Sequence, residues 1–235
     1  MSTDDIAARL REAERARVPI KPIRQELGEG AIAKAYEVQA ANTRHRLAAG
    51  EVLRGRKVGL TSKAVQKQLG VDQPDFGMLF TNMERADGGA IGMDEVLQPK
   101  IEAEIAFVMA ADVMQARPSL LDIMAATAYV LPCFEIVGSR IANWDIGIVD
   151  TIADNASSGL FVLGASPKRL TDFDFITCGM VMRENGEVKT TGAGAASLGN
   201  PVEAVRWLAE KLILNLIPKM GIGLVIGLAR NGIRK

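Results

Sequence analysis

Histidine is almost absent: His45 is the only one in 235 residues. A histidine-based catalytic triad and a multi-histidine metal site are therefore excluded within one chain. Cysteine is nearly as scarce. Cys133 and Cys178 stand far apart with no CxxC spacing, which excludes a disulfide framework and a zinc knuckle and suits a reducing, cytoplasmic compartment. Net charge is missing as well, with 28 Lys+Arg against 28 Asp+Glu, so the basic excess of a general nucleic-acid binder is not there. The longest apolar runs are too short for a membrane span or are broken by Pro and Lys. The charged start "MSTDDIAARLREAERAR" is not a secretory signal. What remains is a chain that is 48% hydrophobic, able to bury a real core. It reads as a soluble protein acting on a small molecule, with neither nucleic acid nor membrane as partner.

The pattern along the chain changes near residue 52. Before it, residues 4–17 predict a helix with Ser2 or Thr3 as cap, and "VPIKPI" predicts an extended segment. Residues 30–48 predict a second helix, with Ile32, Ala35, Tyr36 and Gln39 in register and Gly50 as its stop. Residues 1–51 thus form a helical N-terminal region. Residues 52–235 form the unit that carries the chemistry. Short β-type runs dominate it: "RKVGLTS", "KIEAEIAFVM" and, after a helix-like "SLLDIMAATA", "AYVLPCFEIVGSR". "TCGMVMRENGEVKTTG" predicts a hairpin turning at Asn185-Gly186. "GNPVEAVRWLAEKL" predicts a helix capped by Asn200, with Pro201 first and Val202, Val205, Leu208 and Leu212 on one face. The fold class is α+β with a sheet-dominated core.

Within "PKIEAEIAFV" two acids share a face. Strand side chains alternate, so Glu102 and Glu104 lie beside each other with Ala106 and Val108 continuing their side. The bland reading is a half-exposed strand with glutamates on its wet face. Against it, that face turns apolar after the acids, and a third lone acid, Glu135, stands in another apolar run. Three such acids suggest a carboxylate-lined site for a hard cation, Mg²⁺ or Mn²⁺ rather than zinc.

Four stretches, "GRKVGLTSKAVQKQLGVDQPDFGMLF", "QPKIEAEIAFV", "LPCFEIVGSRIANWDIGIVDTIADNASSG" and "GAGAASLGNPVEAVRWLAEKL", resemble the 2-keto-4-pentenoate (2-hydroxypenta-2,4-dienoate) hydratases of the fumarylacetoacetate hydrolase superfamily. The resemblance runs from the N-terminal helices to about Leu212. It implies a mixed β-roll or barrel core with flanking helices and a smaller helical N-terminal part. It implies a divalent cation, Mg²⁺ or Mn²⁺, held by Glu102, Glu104 and Glu135. It implies active-site roles for Lys57, anchoring charge or relaying a proton, and for Asp75, orienting that lysine or activating water. Ser158 matches a substrate-side serine or its neighbour. The implied reaction adds water to a 2-hydroxydienoate in meta-cleavage catabolism of aromatic compounds, by an enzyme that assembles into homo-oligomers.

Without the resemblance, Lys57 reads as an exposed strand-end lysine and Asp75 as a turn residue after Pro74. Asp150 and Asp154 read as structural acids, one of them paired with Arg140. His45 reads as a surface residue, and Trp144 and Trp207 as packing. The sister 4-oxalocrotonate decarboxylases share the ExE…E site, but their pattern as read here lacks the aspartate of "PDFG". Asp75 and "NWDIGIVDT" therefore favour the hydratase. After Leu212 the chain departs from the pattern, keeping only "GLVIGLA" of the expected ending, and about two strands are missing. Asn200 also replaces the histidine of the family's "LGHP" turn. A third reading follows from these departures: a weakly active or inactive accessory subunit in complex with a decarboxylase or aldolase of the same pathway.

Overall fold

Ser2 starts the first helix. The structure, a computed structural model, describes residues 2–28, 30–214 and 224–227. The Ser2 hydroxyl accepts the Asp5 N–H at 3.1 Å, and the Asp5 carboxylate accepts the Ser2 N–H at 3.0 Å, a reciprocal cap on α1 (Thr3–Ala16). A short α2 (Arg24–Leu27) follows. The sequence did not predict it, because four residues are too few to show a helical period. Then comes α3 (Ile32–Ala48). Ile6, Leu10, Leu27, Ala35 and Val38 from these helices bury one common core, which Ile141, Val149 and Ile152 complete from much later in the chain.

The sheet is built from β1 (Leu53–Gly59), β2 (Asp75–Phe80) after α4 (Lys63–Leu69), β3 (Glu84–Arg85), β4 (Lys100–Met109), β5 (Thr127–Val137) after α5 (Leu120–Ala126), β6 (Leu160–Leu163) after α6 (Ile148–Ala153), and a late β9 (Leu224–Gly227). Its order is β2-β1-β9-β4-β5-β6-β3, mixed in sense as the α+β expectation requires. Between β6 and β9, β7 (Gly179–Glu184) and β8 (Glu187–Ala193) form a separate hairpin. Asn185 and Gly186 at its tip both have positive φ, 52° and 85°, the backbone that a two-residue hairpin turn needs.

Helix α7 (Pro201–Leu214) packs on the sheet core through Val202, Val205, Leu208 and Leu212, all buried as the periodicity predicts. Asn200 is spent on its cap: the side-chain oxygen accepts the Val202 N–H at 3.0 Å. The strand in "GLVIGLA" is no remnant edge. It pairs parallel with β1 and antiparallel with β4, in the middle of the sheet. The other residues on which the expected loss of C-terminal strands falls, 215–223 and 228–235, lie outside the described ones.

The sheet curls. Three strand spacings separate β1 from β5, about 14 Å in a flat sheet, yet Lys57 on β1 and Glu135 on β5 meet at 3.3 Å. Their faces must turn toward each other, and the concave side of the roll becomes the place where side chains from distant strands converge.

Candidate metal centre

Two neighbouring strands set the acids. β4 and β5 pair antiparallel with Glu102 directly opposite Glu135 and Glu104 opposite Cys133. Residues opposite one another project from the same face, so the register alone gathers three carboxylates. Each offers an oxygen within 4.8 Å of the other two. The bland reading of β4 is reversed. Glu102, Glu104 and Glu135 are only 6%, 8% and 1% exposed, whereas Ile101 on the supposedly dry face is 44% exposed. Period-2 alternation says which residues share a face; the curl decides which face is inside.

Ionised carboxylates at this separation repel by roughly 3 kcal/mol per pair at an effective dielectric of about 20. Lys57 makes a salt bridge to the trio, to Glu135 at 3.3 Å. Burial pushes the Glu135 carboxyl up to about 7, with Lys57 opposing and Glu102 adding to the rise. For Lys57, burial acts downward, but Glu135 first, then Asp75, Glu102 and Glu104, outweigh it and leave its pKa raised. The ammonium stays charged. Three buried carboxylates and one buried lysine meet here. The hard, all-carboxylate chemistry of the trio fits an oxygen-seeking dication.

Lys57 and Asp75 are both buried, not the exposed lysine and turn acid of the bland reading. Gly59, two residues after Lys57 and opposite Asp75 in the β1–β2 register, leaves the space they share. A Cβ there would lie 3.5 Å from Lys57 Nζ and well inside the contact distance of Asp75 Oδ1. Lys57 Nζ also donates to Ala156 O at 2.8 Å. That carbonyl sits in a turn where Asn155, Ala156 and Ser157 all have positive φ, 56°, 51° and 56°. Three such non-glycine residues in succession cost roughly 1–2 kcal/mol each, and the surroundings enforce the strain. The Asn155 side chain bonds Met78 through both N–H and C=O, at 2.7 and 2.9 Å. Gly138 N–H donates to Ser157 O at 2.9 Å.

The turn also sends its two serines to different cavities. Ser157 lines the small cavity, about 40 Å³, that Lys57, Asp75, Glu102 and Glu104 share with Thr151 and Trp144. Ser158, the serine assigned from the sequence, does not. Its hydroxyl donates to Asn155 O at 2.8 Å, and it lines a larger cavity of about 620 Å³ beside α1 and α3. The larger cavity, which also holds His45, includes none of the three glutamates or Lys57, so size does not mark the chemistry here. Trp144 lines the small cavity, and Lys100 Nζ lies 3.6 Å from its ring centroid. Arg140 pairs with buried Asp154 as the sequence suggested. Asp150 is structural too, accepting from Ile23 N, Arg24 N, Arg24 Nη1 and Gly147 N at 2.8–2.9 Å. Thr151 and Gln39 were not singled out as site residues. Nothing in their sequence context distinguishes them from ordinary helix positions. Among the described residues no helix is long and apolar enough to cross a membrane.

Known proteins match this arrangement. No family model matches the chain. The chain is 56% identical over 201 residues to the TodF product hydratase of Pseudomonas putida F1, covering 86% of this chain and 75% of that one. It is 49% identical over 210 residues to a 2-keto-4-pentenoate hydratase of Paraburkholderia phymatum, covering 89% and 80%. Among solved structures, 4-oxalocrotonate decarboxylase from Pseudomonas putida G7, complexed with magnesium and adipate, superposes with a TM-score of 0.94 at 34% identity, over 99% of this chain and 89% of that one. A fumarylpyruvate hydrolase from Pseudomonas aeruginosa, in complex with Mn²⁺ and pyruvate, shares the fold alone, with a TM-score of 0.56 at 11% identity over 77% and 84%. By its sequence, the chain belongs to the 2-keto-4-pentenoate hydratase family.

Proposed function

We propose that this chain is a divalent-cation-dependent hydratase that adds water to 2-hydroxypenta-2,4-dienoate, giving 4-hydroxy-2-oxopentanoate in meta-cleavage aromatic catabolism. The observation that carries the reading is the convergence of Glu102, Glu104 and Glu135, two of which line a cavity with Lys57 and Asp75, while the third pairs with Lys57. The three glutamates would hold the cation, Mg²⁺ or Mn²⁺. When bound, it supplies positive charge for the carboxylate and adjacent oxygen of a 2-oxo acid.

The remaining chemistry belongs to side chains of this chain. The dienol loses its hydroxyl proton and gains one at C5, becoming an α,β-unsaturated ketone. The buried Lys57 ammonium offsets the negative charge that passes through the substrate oxygens during this change. Water then adds at C4. Asp75 accepts the proton that this water sheds, and C3 gains one. The sum is one water consumed and nothing oxidised or reduced. Leu60, Val71, Ile146 and Ile148 line the rest of the cavity and would shield the carbon skeleton from bulk water. At about 40 Å³ the cavity has room for an ion or a water, whose share of liquid volume is about 30 Å³.

The test uses the purified protein with Mg²⁺ or Mn²⁺ and enzymatically generated 2-hydroxypenta-2,4-dienoate, following loss of its ultraviolet absorbance. Metal-dependent turnover that Glu104→Gln abolishes is the expected result. No turnover with either cation overturns the reading. Carbon dioxide release from 2-oxo-3-hexenedioate without hydration of the dienoate would reassign the site to the decarboxylase chemistry of its solved neighbour.

A further inference from the structure

Asp75 does not hold its own orientation. Its Oδ2 accepts a hydrogen bond from Thr151 Oγ1 at 3.2 Å, and Thr151 Oγ1 lies 3.3 Å from Ser157 Oγ. All three side chains are buried and line the small cavity. A carboxylate with one oxygen tied to a hydroxyl has a defined plane, and a defined plane decides where its other oxygen points.

Thr151 is itself immobilised. It rides on α6, whose first turn is anchored to the start of α2 by three hydrogen bonds to Asp150, from Ile23 N, Arg24 N and Arg24 Nη1. One residue further on, a second tie reaches α6 from the N-terminal helices. Gln39 on α3, buried, donates its amide to Phe76 O at 2.8 Å and to Ile152 O at 3.0 Å. Those acceptors are the residues that immediately follow Asp75 and Thr151. An amide nitrogen has two protons, and here one goes to each element, so a single side chain sets the spacing of β2 and α6 at the step where the Asp75–Thr151 bond forms. Tyr36, three residues earlier on α3, stacks on Phe76 with ring centroids 4.6 Å apart and presses β2 against the same helix.

We propose that Thr151 is a positioning residue for Asp75, and that Gln39 is the staple holding the two elements at the separation their hydrogen bond requires. The N-terminal helices are then a working part of the active site, not only a covering. The proposal rests on the catalytic role given to Asp75 above. Neither Thr151 nor Gln39 reacts. Each acts through the aim of the aspartate, and an error of about 1 Å at a proton-transferring group can cost about 100-fold in rate.

Three variants test it. Thr151→Val removes the hydroxyl and keeps the shape. It is expected to lower kcat about 10- to 100-fold, with KM and the affinity for Mn²⁺ within about threefold of wild type. Thr151→Ser returns the hydroxyl and is expected to recover kcat to within about threefold of wild type. Gln39→Met, close in volume, is expected to lower kcat in the same direction, again without a matching change in KM. Thr151→Val with wild-type kcat overturns the proposal, as does Thr151→Ser no faster than Thr151→Val. Crystal structures of the two Thr151 variants decide the question without any assay. The Asp75 carboxylate should rotate in Thr151→Val and return in Thr151→Ser; an unmoved carboxylate in Thr151→Val overturns the claim. If the wild-type protein hydrates no dienoate, the functional reading fails while the crystallographic comparison still decides the positioning.

Discussion

Gly59→Ala adds one carbon atom at the most sensitive point of the site. Gly59 is not among the glycines with positive φ, so alanine meets no backbone penalty there and the whole effect comes from the Cβ. That atom would crowd Asp75 Oδ1 and sit 3.4 Å from Asp75 Cγ and 3.5 Å from Lys57 Nζ. Normal carbon contacts begin near 3.5 Å, so the carboxylate oxygen must retreat by about 1 Å. It has little freedom to do so, because Asp75 is buried and its other oxygen is held by Thr151. Overpacking of this kind costs about 1–3 kcal/mol. For a chain of this size that corresponds to a Tm lower by roughly 2–12 °C. Displacing the proton acceptor by about 1 Å is expected to lower kcat by about 100-fold. The assay is dienoate turnover at saturating Mn²⁺, with Tm measured on the same preparation. Retention of kcat within about threefold, at any Tm, would refute the idea that Asp75 must stand where the structure puts it.

Other consequences follow from buried charge. The Glu135 carboxyl titrates near 7 in the folded protein, raised chiefly by burial, and near 4.3 when unfolded. The folded state therefore binds this proton more tightly. The resulting stability is fully present below about pH 4.3 and is lost as pH rises through about 7, a few kcal/mol in all. Metal-free protein should show this downward trend, Glu135→Gln should flatten it, and an unchanged slope in that variant would contradict the assignment. Asp150→Asn swaps an acceptor-only side chain for one that must turn donors toward N–H groups. It should destabilise by about 3–5 kcal/mol in urea unfolding, and a loss under 1 kcal/mol would show that α6 is anchored by something else. Ala156→Gly relieves one left-handed residue and should raise stability by roughly 1 kcal/mol, provided that Lys57 keeps its bond to the carbonyl.

The sequence made some of this plain and hid the rest for identifiable reasons. The strand "KIEAEIAFVM" runs from Lys100 to Met109 as its alternation predicts, and the pairing of Glu102 with Glu104 on one face followed from period 2 alone. The opposition of Glu135 to Glu102 did not follow, because β4 and β5 are joined by a long connection, and only a tight turn fixes register locally. The same gap explains the inverted face. Burial is set by the curl of the sheet, and the strand order, with β9 from the far end of the chain between β1 and β4, is not readable from β4 itself. The resemblance pointed to Ser158 or its neighbour, and the left-handed turn at Asn155–Ser157, with no glycine to announce it, left the two serines indistinguishable in the sequence. Gln39 was legible as a helix position but not as a staple, since its partners, Phe76 O and Ile152 O, are backbone atoms remote in sequence. Asn200 was legible both as a cap and as a departure from the family's histidine, and its hydrogen bond to Val202 shows what it does in that place.

Calorimetric titration of Mn²⁺ into metal-free protein is the most direct measurement. Binding of one cation per chain is predicted, with Glu102→Gln, Glu104→Gln and Glu135→Gln each weakening it by at least about tenfold, since each removes one of three oxygen donors. An absence of binding heat in the wild-type chain, or wild-type affinity in the three variants, would contradict the account at its centre.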